Sequence, residues 1–164
     1  MELNWKHIIE TYQEPLYWHI RRIVVSHDDA KDILQEVFIQ AFNNISQLKH
    51  PKAIKAWLYR IATNKSLRHL ESRSNQTTPL DQTPEALLDQ LSTNDNNNEN
   101  ELLIKFQKAL QTLPPQQKAV FTLRYYDELS YDEISQITGT KKDTLKASYH
   151  NAKQKIKTYL QTAE

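Results

Sequence analysis

The chain has 164 residues with one Gly, no Cys and a net charge of +1, and 38% of its residues are hydrophobic. So little glycine argues against sheet-rich folds and glycine-rich nucleotide loops, because hairpins and phosphate-binding loops need residues that adopt positive φ. The absence of cysteine excludes disulfides and thiolate metal sites. No apolar run approaches the roughly 20 residues of a membrane span. We therefore predict a cytoplasmic, all-α protein that does not insert into the membrane.

The net charge conceals an uneven distribution along the chain. Residues 1–70 carry ten Lys/Arg against seven Asp/Glu, residues 71–103 carry one against seven, and residues 104–164 carry ten against six. Residues 71–100 are also rich in Ser, Asn, Gln, Thr and Pro, and connections of such length are uncommon inside one domain. The alternative is an ordinary surface loop. We predict two small helical domains, 1–70 and 101–164, joined by a flexible acidic linker at 71–100.

The first domain is predicted to begin with two amphipathic helices. The first runs from Trp5 to Val25, and Pro15 is expected to kink or interrupt it. Ser26 or Asp28 can cap the second helix, whose apolar residues recur at steps of three and four and predict one buried stripe. This stripe consists of Ala30, Ile33, Leu34, Val37, Phe38, Ala41, Phe42 and Ile45.

The opposite face of the second helix is acidic and amide-bearing, with one isoleucine in its middle. At 100° per residue it carries Asp28, Asp32, Gln35, Ile39 and Asn43, with Glu36 at its edge. Single exposed apolar residues are common on protein surfaces, so Ile39 is either a harmless exposed residue or part of a docking surface. The pattern alone leaves both interpretations open.

A third helix is predicted after Pro51, with a basic end. Its apolar stripe is Ile54, Trp57, Leu58 and Ile61, and the same stripe continues into Lys65 and Arg68. The residues around it include Lys52, Lys55, Tyr59, Arg60, Thr63 and Asn64. Cations, an aromatic ring and amides can follow phosphates and hold exposed bases, although a solvated basic face is the alternative.

The second domain is predicted to begin with two helices separated by Pro114 and Pro115. The apolar residues of the first helix are Leu102, Leu103, Phe106, Ala109, Leu110 and Leu113. Those of the second helix are Ala119, Val120, Leu123 and Tyr126.

A helix-turn-helix is predicted to follow them. Ser130 and Glu133 have the spacing of a capping box at a helix start. Gly139, the only glycine, stands where a left-handed C-terminal cap is needed. Thr140 and Asp143 are expected to form a second cap, which opens a long helix. A short helix, a glycine turn and a long helix together predict a helix-turn-helix.

The long helix has a basic outer side of the kind that reads DNA. Its inner stripe is Leu145, Tyr149, Ala152, Ile156 and Leu160, with Ser148 beside it. Its outer side carries Asp143, Lys146, Ala147, His150, Asn151 and Gln154. Asn151 can pair with adenine and Ala147 can contact a thymine methyl group, while lysines hold phosphates. A basic surface helix of a bundle is the alternative interpretation.

Three segments together resemble one protein family. Residues 28–38 read DDAKDILQEVF, residues 56–64 read AWLYRIATN, and residues 129–135 read LSYDEIS after Leu113-Pro114. In order and spacing they resemble regions 2 and 4 of the extracytoplasmic function (ECF) group of bacterial sigma-70 family factors. The resemblance implies a non-enzymatic subunit that binds core RNA polymerase, recognises promoters and helps to melt the −10 region.

The resemblance also implies roles for individual residues. The polymerase-binding residues, which would dock on the clamp helices of the largest subunit, are Asp28, Asp32, Gln35, Glu36 and Ile39. The candidate −10 DNA-binding residues are Lys52, Tyr59, Arg60, Asn64, Lys65 and Arg68. The candidate −35 DNA-binding residues are Lys142, Thr144, Lys146, Ala147, His150 and Asn151.

The family further implies an anti-sigma factor as a partner, often membrane-bound. No cofactor or metal is expected, because the six histidines lack metal-ligand spacing. Two alternative functions stay open from the residues alone. One is a helix-turn-helix transcriptional regulator with a helical sensor domain that acts without polymerase. The other is an adaptor that binds only proteins.

Overall fold

The computed structural model describes residues 3–74 and 98–162. Within these ranges all regular structure is helical, which confirms the all-α prediction. The helices are α1 (Trp5–Val24), α2 (His27–Asn43), α3 (Ile54–Ser74), α4 (Asn98–Gln111), α5 (Pro115–Tyr125), α6 (Tyr131–Thr138) and α7 (Lys142–Thr162), with short 3-10 turns at Ile45–Gln47 and Pro51–Ala53. Most of the predicted linker lies outside the described residues, so the domain boundaries stay a prediction.

Helices α1, α2 and α3 pack against one another as the N-terminal domain. Their buried contacts include Leu16 and Ile20 of α1, Val37 of α2 and Leu58 of α3. Helix α1 runs through Pro15 without a break, so the structure does not contain the interruption that we expected as one possibility. Pro15 lies on the exposed side of α1. The carbonyl group that its missing N–H leaves without a helical partner can therefore bind water.

Helix α2 begins and packs largely as its sequence predicts. The Ser26 hydroxyl accepts a hydrogen bond from the Asp29 amide at 3.3 Å, which selects Ser26 as the cap. The predicted burial of Phe42 was wrong, because its side chain is 61% exposed at the edge of the bundle, where its ring meets the Trp5 ring edge-on. The apolar stripe is therefore wider than the surface that α1 and α3 cover.

The C-terminal domain contains the predicted helix-turn-helix, formed by α6 and α7. Ser130 and Glu133 exchange the two hydrogen bonds of a capping box at 3.1 Å each. Gly139 ends α6 with φ 73°. The second predicted cap was wrong: α7 begins at Lys142, and the described residues contain no hydrogen bond from the Asp143 amide to the Thr140 side chain. The Ser135 hydroxyl instead donates to the Thr140 carbonyl at 2.7 Å.

The first turns of α4 also differ from the prediction. Leu102 and Leu103 are 63% and 62% exposed, although the helical spacing placed them on a buried side. Burial on α4 begins at Ala109 and Leu110, where α7 packs against it through Ala152 and Ile156.

The two domains pack against each other in this structure. Helix α3 contacts α6, and α1 contacts α5. Buried residues of both domains, such as Ile20 and Leu58 on one side and Leu123 and Ile134 on the other, form one continuous apolar cluster. The helix-turn-helix is thereby held directly against the helix that carries the candidate −10 residues.

Replacing Gly139 by Val should destabilise the helix-turn-helix. No atom lies within 4 Å of an added Cβ, so the cost comes from the backbone at φ 73° and amounts to about 1–2 kcal/mol. Urea unfolding of Gly139→Val and Gly139→Asn measures it, because asparagine tolerates the left-handed region and should lose less. Equal losses in both variants would contradict a purely conformational role.

Candidate polymerase and nucleic-acid interfaces

The five candidate polymerase-binding residues lie on one exposed face of α2. Ile39 is 54% exposed in the middle of this face. It also lines an apolar groove of about 590 Å³ between α1 and α2, together with Trp5, Ile9, Phe38 and Phe42. Helical spacing identified Ile39 alone, because the groove forms only when the partly exposed side chains of α1 meet those of α2.

A second groove, of about 350 Å³, combines cations, an amide and an aromatic ring. Its walls include Arg60, Asn64, Lys65 and Arg68 from the candidate −10 set, joined by Trp57. Trp57 packs partly against the core, as its place in the apolar stripe predicted, and the rest of its ring lines this groove, which the sequence did not indicate. A flat indole beside amide and guanidinium groups is suited to stack on an unpaired base.

Two other candidate −10 residues lie away from this groove. Lys52 is exposed in the Pro51–Ala53 turn. Tyr59 is only 3% exposed and follows Trp57 by two residues, which at 100° per residue places it on the opposite side of α3. Its hydroxyl donates to Asp127 of the C-terminal domain at 3.1 Å. In this structure Tyr59 therefore contacts the other domain and cannot contact DNA.

The basic end of α3 is paired with two acids of α2, Asp29 in its first turn and Glu36 in its middle. Lys65 lies 3.9 Å from Glu36, and both His69 and Arg73 contact Asp29, at 3.2 and 3.4 Å. The candidate polymerase-binding surface and the candidate −10 surface thus share a charged boundary. The ion pair between Lys65 and Glu36 is 3.9 Å long and partly exposed. Either side chain can therefore leave it for another partner at a small cost in free energy.

The candidate −35 residues all lie on the exposed side of α7. Its inner side is buried through Leu145, Ala152 and Ile156, as the spacing predicted. Lys142 contacts Asp132 at 2.9 Å, and this carboxylate raises the pKa of the Lys142 ammonium. The outer face therefore presents small, amide and cationic side chains, as a recognition helix requires.

A buried polar cluster lies between the domains, formed by His19, Tyr59, Thr63, Thr122 and Asp127. His19 Nε2 contacts the Thr63 hydroxyl at 2.8 Å, and its Nδ1 lies 3.4 Å from Thr122 Oγ1 and 3.6 Å from Asp127 Oδ2. Burial, aided by Arg22, lowers the pKa of His19 to about 3. Burial raises the pKa of Asp127 to about 6, and the pKa of Tyr59 above its usual value.

Residues 3–74 and 98–162 contain no group of three or more His, Asp or Glu side chains arranged to hold a metal ion. None of the helices described is both long and apolar enough to cross a membrane.

A cationic groove on one helical domain and a helix-turn-helix in the other are features of DNA-binding proteins. The sigma-70 region 2 family model matches residues 8–76, and the sigma-70 region 4 model matches residues 103–156. The chain belongs to the ECF group of the sigma-70 family.

Individual relatives cover nearly the whole chain. The ECF RNA polymerase sigma factor SigE of Mycolicibacterium smegmatis is 29% identical over 162 residues, which are 96% of this chain and 62% of that protein. SigW of Bacillus subtilis is 28% identical over 93% of this chain and 87% of its own length. Among solved structures, the sigma factor RpoE in complex with the anti-sigma factor NepR from Bartonella quintana has a similar fold. Its TM-score is 0.72 at 19% identity, over 97% of this chain and 98% of that one.

Proposed function

We propose that this chain is a sigma factor that binds core RNA polymerase and directs it to promoters with defined −35 and −10 elements. The observation that carries the proposal is the presence in one chain of the cationic groove on α3 and the exposed recognition face of α7, within segments that match sigma-70 regions 2 and 4. The region 2 match favours this function over a regulator that acts without polymerase. The protein acts in the cytoplasm as an initiation factor and is not itself the catalyst.

The exposed face of α2 is the proposed docking surface for the clamp helices of the largest polymerase subunit. Its acidic and amide groups surround Ile39, which is the arrangement of a small apolar anchor within a polar rim. The apolar groove beside Ile39 enlarges the surface that a partner helix can bury. Of the two interpretations that the sequence left open for Ile39, the groove favours a docking surface over an isolated exposed residue.

The groove on α3 is the proposed site for the separated strand of the −10 element. Asn64 can hydrogen-bond an exposed base edge, Trp57 can stack on it, and Arg60 and Arg68 can hold adjacent phosphates. Capture of an unstacked base offsets an opening cost of a few kcal/mol. Strand separation would thus be driven by binding energy, with no catalytic group.

The −35 element is read by α7 in the major groove. Each domain reads only a few base pairs, so specificity arises when polymerase holds both domains on one scaffold and makes the second contact intramolecular. An anti-sigma factor is the proposed inhibitory partner, which would compete for these surfaces.

Transcription in vitro with core polymerase and a pool of random promoters tests the proposal. Initiation that depends on this protein and selects two spaced elements is the expected result. Stable binding of the free protein to one duplex site, with no initiation on adding core polymerase, would instead identify a regulator that acts alone.

Two substitutions on α7 should separate base reading from phosphate binding. Asn151→Ala should cost about 1–3 kcal/mol at one position of the −35 element and relax its specificity. Lys146→Gln should weaken binding to all promoters alike. It should also reduce the slope of log binding constant against log salt concentration by about 1. Holoenzyme binding to promoter libraries at several salt concentrations measures both.

Lys157→Gln is the matched control on the same helix, because Lys157 is also exposed but lies three turns beyond Lys146. It should change neither specificity nor salt slope. A uniform loss for Asn151→Ala would contradict direct base reading.

A further inference from the structure

The cationic groove on α3 has a second wall, which α2 and the turn after it provide. Opposite Trp57 and Asn64, this groove of about 350 Å³ is lined by Gln40 and Gln47. Neither glutamine is among the −10 residues that the family resemblance implied. The volume lies within the roughly 300–1,000 Å³ of pockets that hold small molecules, so the groove has room for one base.

The packing of α2 on α3 places Gln40 at the groove. Gln40 lies one helical turn after Glu36, and Glu36 reaches Lys65 of α3 at 3.9 Å. Gln40 is therefore on the side of α2 that faces α3. The side-chain and backbone nitrogens of Asn44 both donate to the Gln40 carbonyl, at 2.9 and 3.0 Å, and so fix the end of this helix.

The 3-10 turn at Ile45–Gln47 places the second glutamine. The Gln47 amide donates to the Asn44 carbonyl at 2.9 Å, and the Leu48 amide donates to the Ile45 carbonyl at 3.1 Å. Leu48 is buried and anchors the turn to the domain. The Gln47 side chain is exposed, so its carboxamide is presented at the groove by a backbone that is already ordered.

Three exposed carboxamides thus line the groove, on two of its walls. Within residues 3–74 and 98–162, the side chains of Gln40, Gln47 and Asn64 make no hydrogen bond to another protein group. Among the described residues that line the groove, none is acidic. Asn64 belongs to α3 and the two glutamines to the opposite wall, so a base in the groove can meet a carboxamide on each side.

Adenine is the base that two carboxamides can hold at once. A carboxamide donates through its NH₂ group and accepts through its oxygen. Adenine offers an N6–H donor beside the N7 acceptor on its major-groove edge. Its second N6–H lies beside N1 on the Watson–Crick edge, which is free once the base is unpaired. On the major-groove edge, guanine presents only acceptors, cytosine only a donor and thymine only an acceptor.

We propose that the cationic groove selects adenine at one position of the −10 element, and that Gln40 and Gln47 determine this specificity. Asn64 holds one edge of the unpaired base, the glutamines hold the other edge, and Trp57 stacks on its face. The inference rests on the proposed function, because an unpaired base reaches the groove only in melted promoter DNA. Helix α2 then contributes both to the proposed docking surface and to base recognition.

Binding of holoenzyme to forked promoter DNA tests the inference. The probes carry the elements that the wild-type protein selects, and each position of the unpaired −10 strand holds one of the four bases or an abasic site in turn. Wild-type holoenzyme should prefer adenine by about tenfold or more at one position. The double variant Gln40→Ala/Gln47→Ala should reduce this preference to less than about threefold, while its binding to the abasic probe stays unchanged.

A base analogue identifies the side chain that holds each edge. 7-deazaadenine lacks the N7 acceptor, so wild-type holoenzyme should bind it about tenfold or more less tightly than adenine. This loss should vanish in the glutamine double variant or in Asn64→Ala, depending on which wall holds N7. A loss that persists in both variants would contradict the assigned contacts.

Gln116→Ala is the matched control, because Gln116 is an exposed glutamine on α5 that does not line the groove. It should keep the full adenine preference. An adenine preference that the double variant retains would overturn the inference, as would a wild-type holoenzyme that prefers adenine at no position of the −10 element. Failure of the protein to form holoenzyme or to select any promoter would overturn the proposed function instead.

Discussion

Replacing Ile39 by Asp should reduce holoenzyme formation at least 30-fold without unfolding the protein. Ile39 is the apolar centre of an acidic face, and loss of a central anchor typically costs 2 kcal/mol or more of binding free energy. A carboxylate at this apolar centre would also have to lose its hydration when a partner covers the face, which costs binding free energy unless the charge is paired. Because the Ile39 side chain is 54% exposed, the free energy of unfolding should change by less than about 0.5 kcal/mol.

Binding of fluorescent protein to core polymerase measures this effect, and promoter-dependent transcription should fall in parallel. Leu102→Asp is the matched control, since Leu102 is 63% exposed but lies on α4 in the other domain. It should bind polymerase normally. Wild-type affinity in Ile39→Asp would place the docking surface elsewhere.

The buried polar cluster between the domains contains two ionisable groups, His19 and Asp127, whose effects on stability should depend on pH in opposite directions when each is left alone. In Asp127→Asn, His19 remains, and its pKa of about 3 in the folded protein is below the ordinary value near 6.5. Unfolding therefore takes up a proton, and the free energy of unfolding should fall by about 1.4 kcal/mol for each pH unit below 6.5.

In His19→Gln, Asp127 remains with a pKa raised to about 6 in the folded protein. Protonation then stabilises the folded protein, and this contribution is complete below the ordinary pKa near 4 and is lost as the pH rises through 6. The free energy of unfolding should rise by up to about 1.4 kcal/mol per pH unit as the pH falls from 6 toward 4.

In the wild-type protein these two effects oppose each other, so the contribution of the pair to the free energy of unfolding should change little between pH 4.5 and 6. The Tyr59 hydroxyl, which contacts Asp127, does not titrate in this range because burial raises its pKa. Urea unfolding recorded from pH 4.5 to 7 measures the free energy of unfolding of all three proteins. Slopes of the same sign in the two variants would contradict the assigned protonation states.

Much of the local structure was predictable because it depends on neighbours in sequence. Helical spacing located the buried sides of α2 and α7, and the capping box at Ser130 and the left-handed Gly139 formed as predicted. Exposure was less predictable, as Phe42 and Leu102 demonstrate. An apolar stripe specifies which side of a helix can be buried, but not how far the neighbouring helices extend over it.

The candidate binding residues also fall into those that local sequence placed correctly and those that depend on the tertiary fold. The exposed positions of Ile39, Asn64 and Asn151 follow from helical spacing, and the family resemblance that proved correct came from short segments of the sequence. Tyr59 is the opposite case, since its basic neighbours suggested DNA binding whereas the fold assigns it to the domain contact.

The sequence by itself determined the helices, the capping box at Ser130, the helix-turn-helix and the family, because these depend on residues a few positions apart. Only the tertiary structure decided that the domains close over His19, Tyr59 and Asp127. His19 lies 103 residues from Thr122, and Tyr59 lies 68 from Asp127. Burial of polar groups so far apart depends on how whole helices pack, and no local pattern encodes that packing.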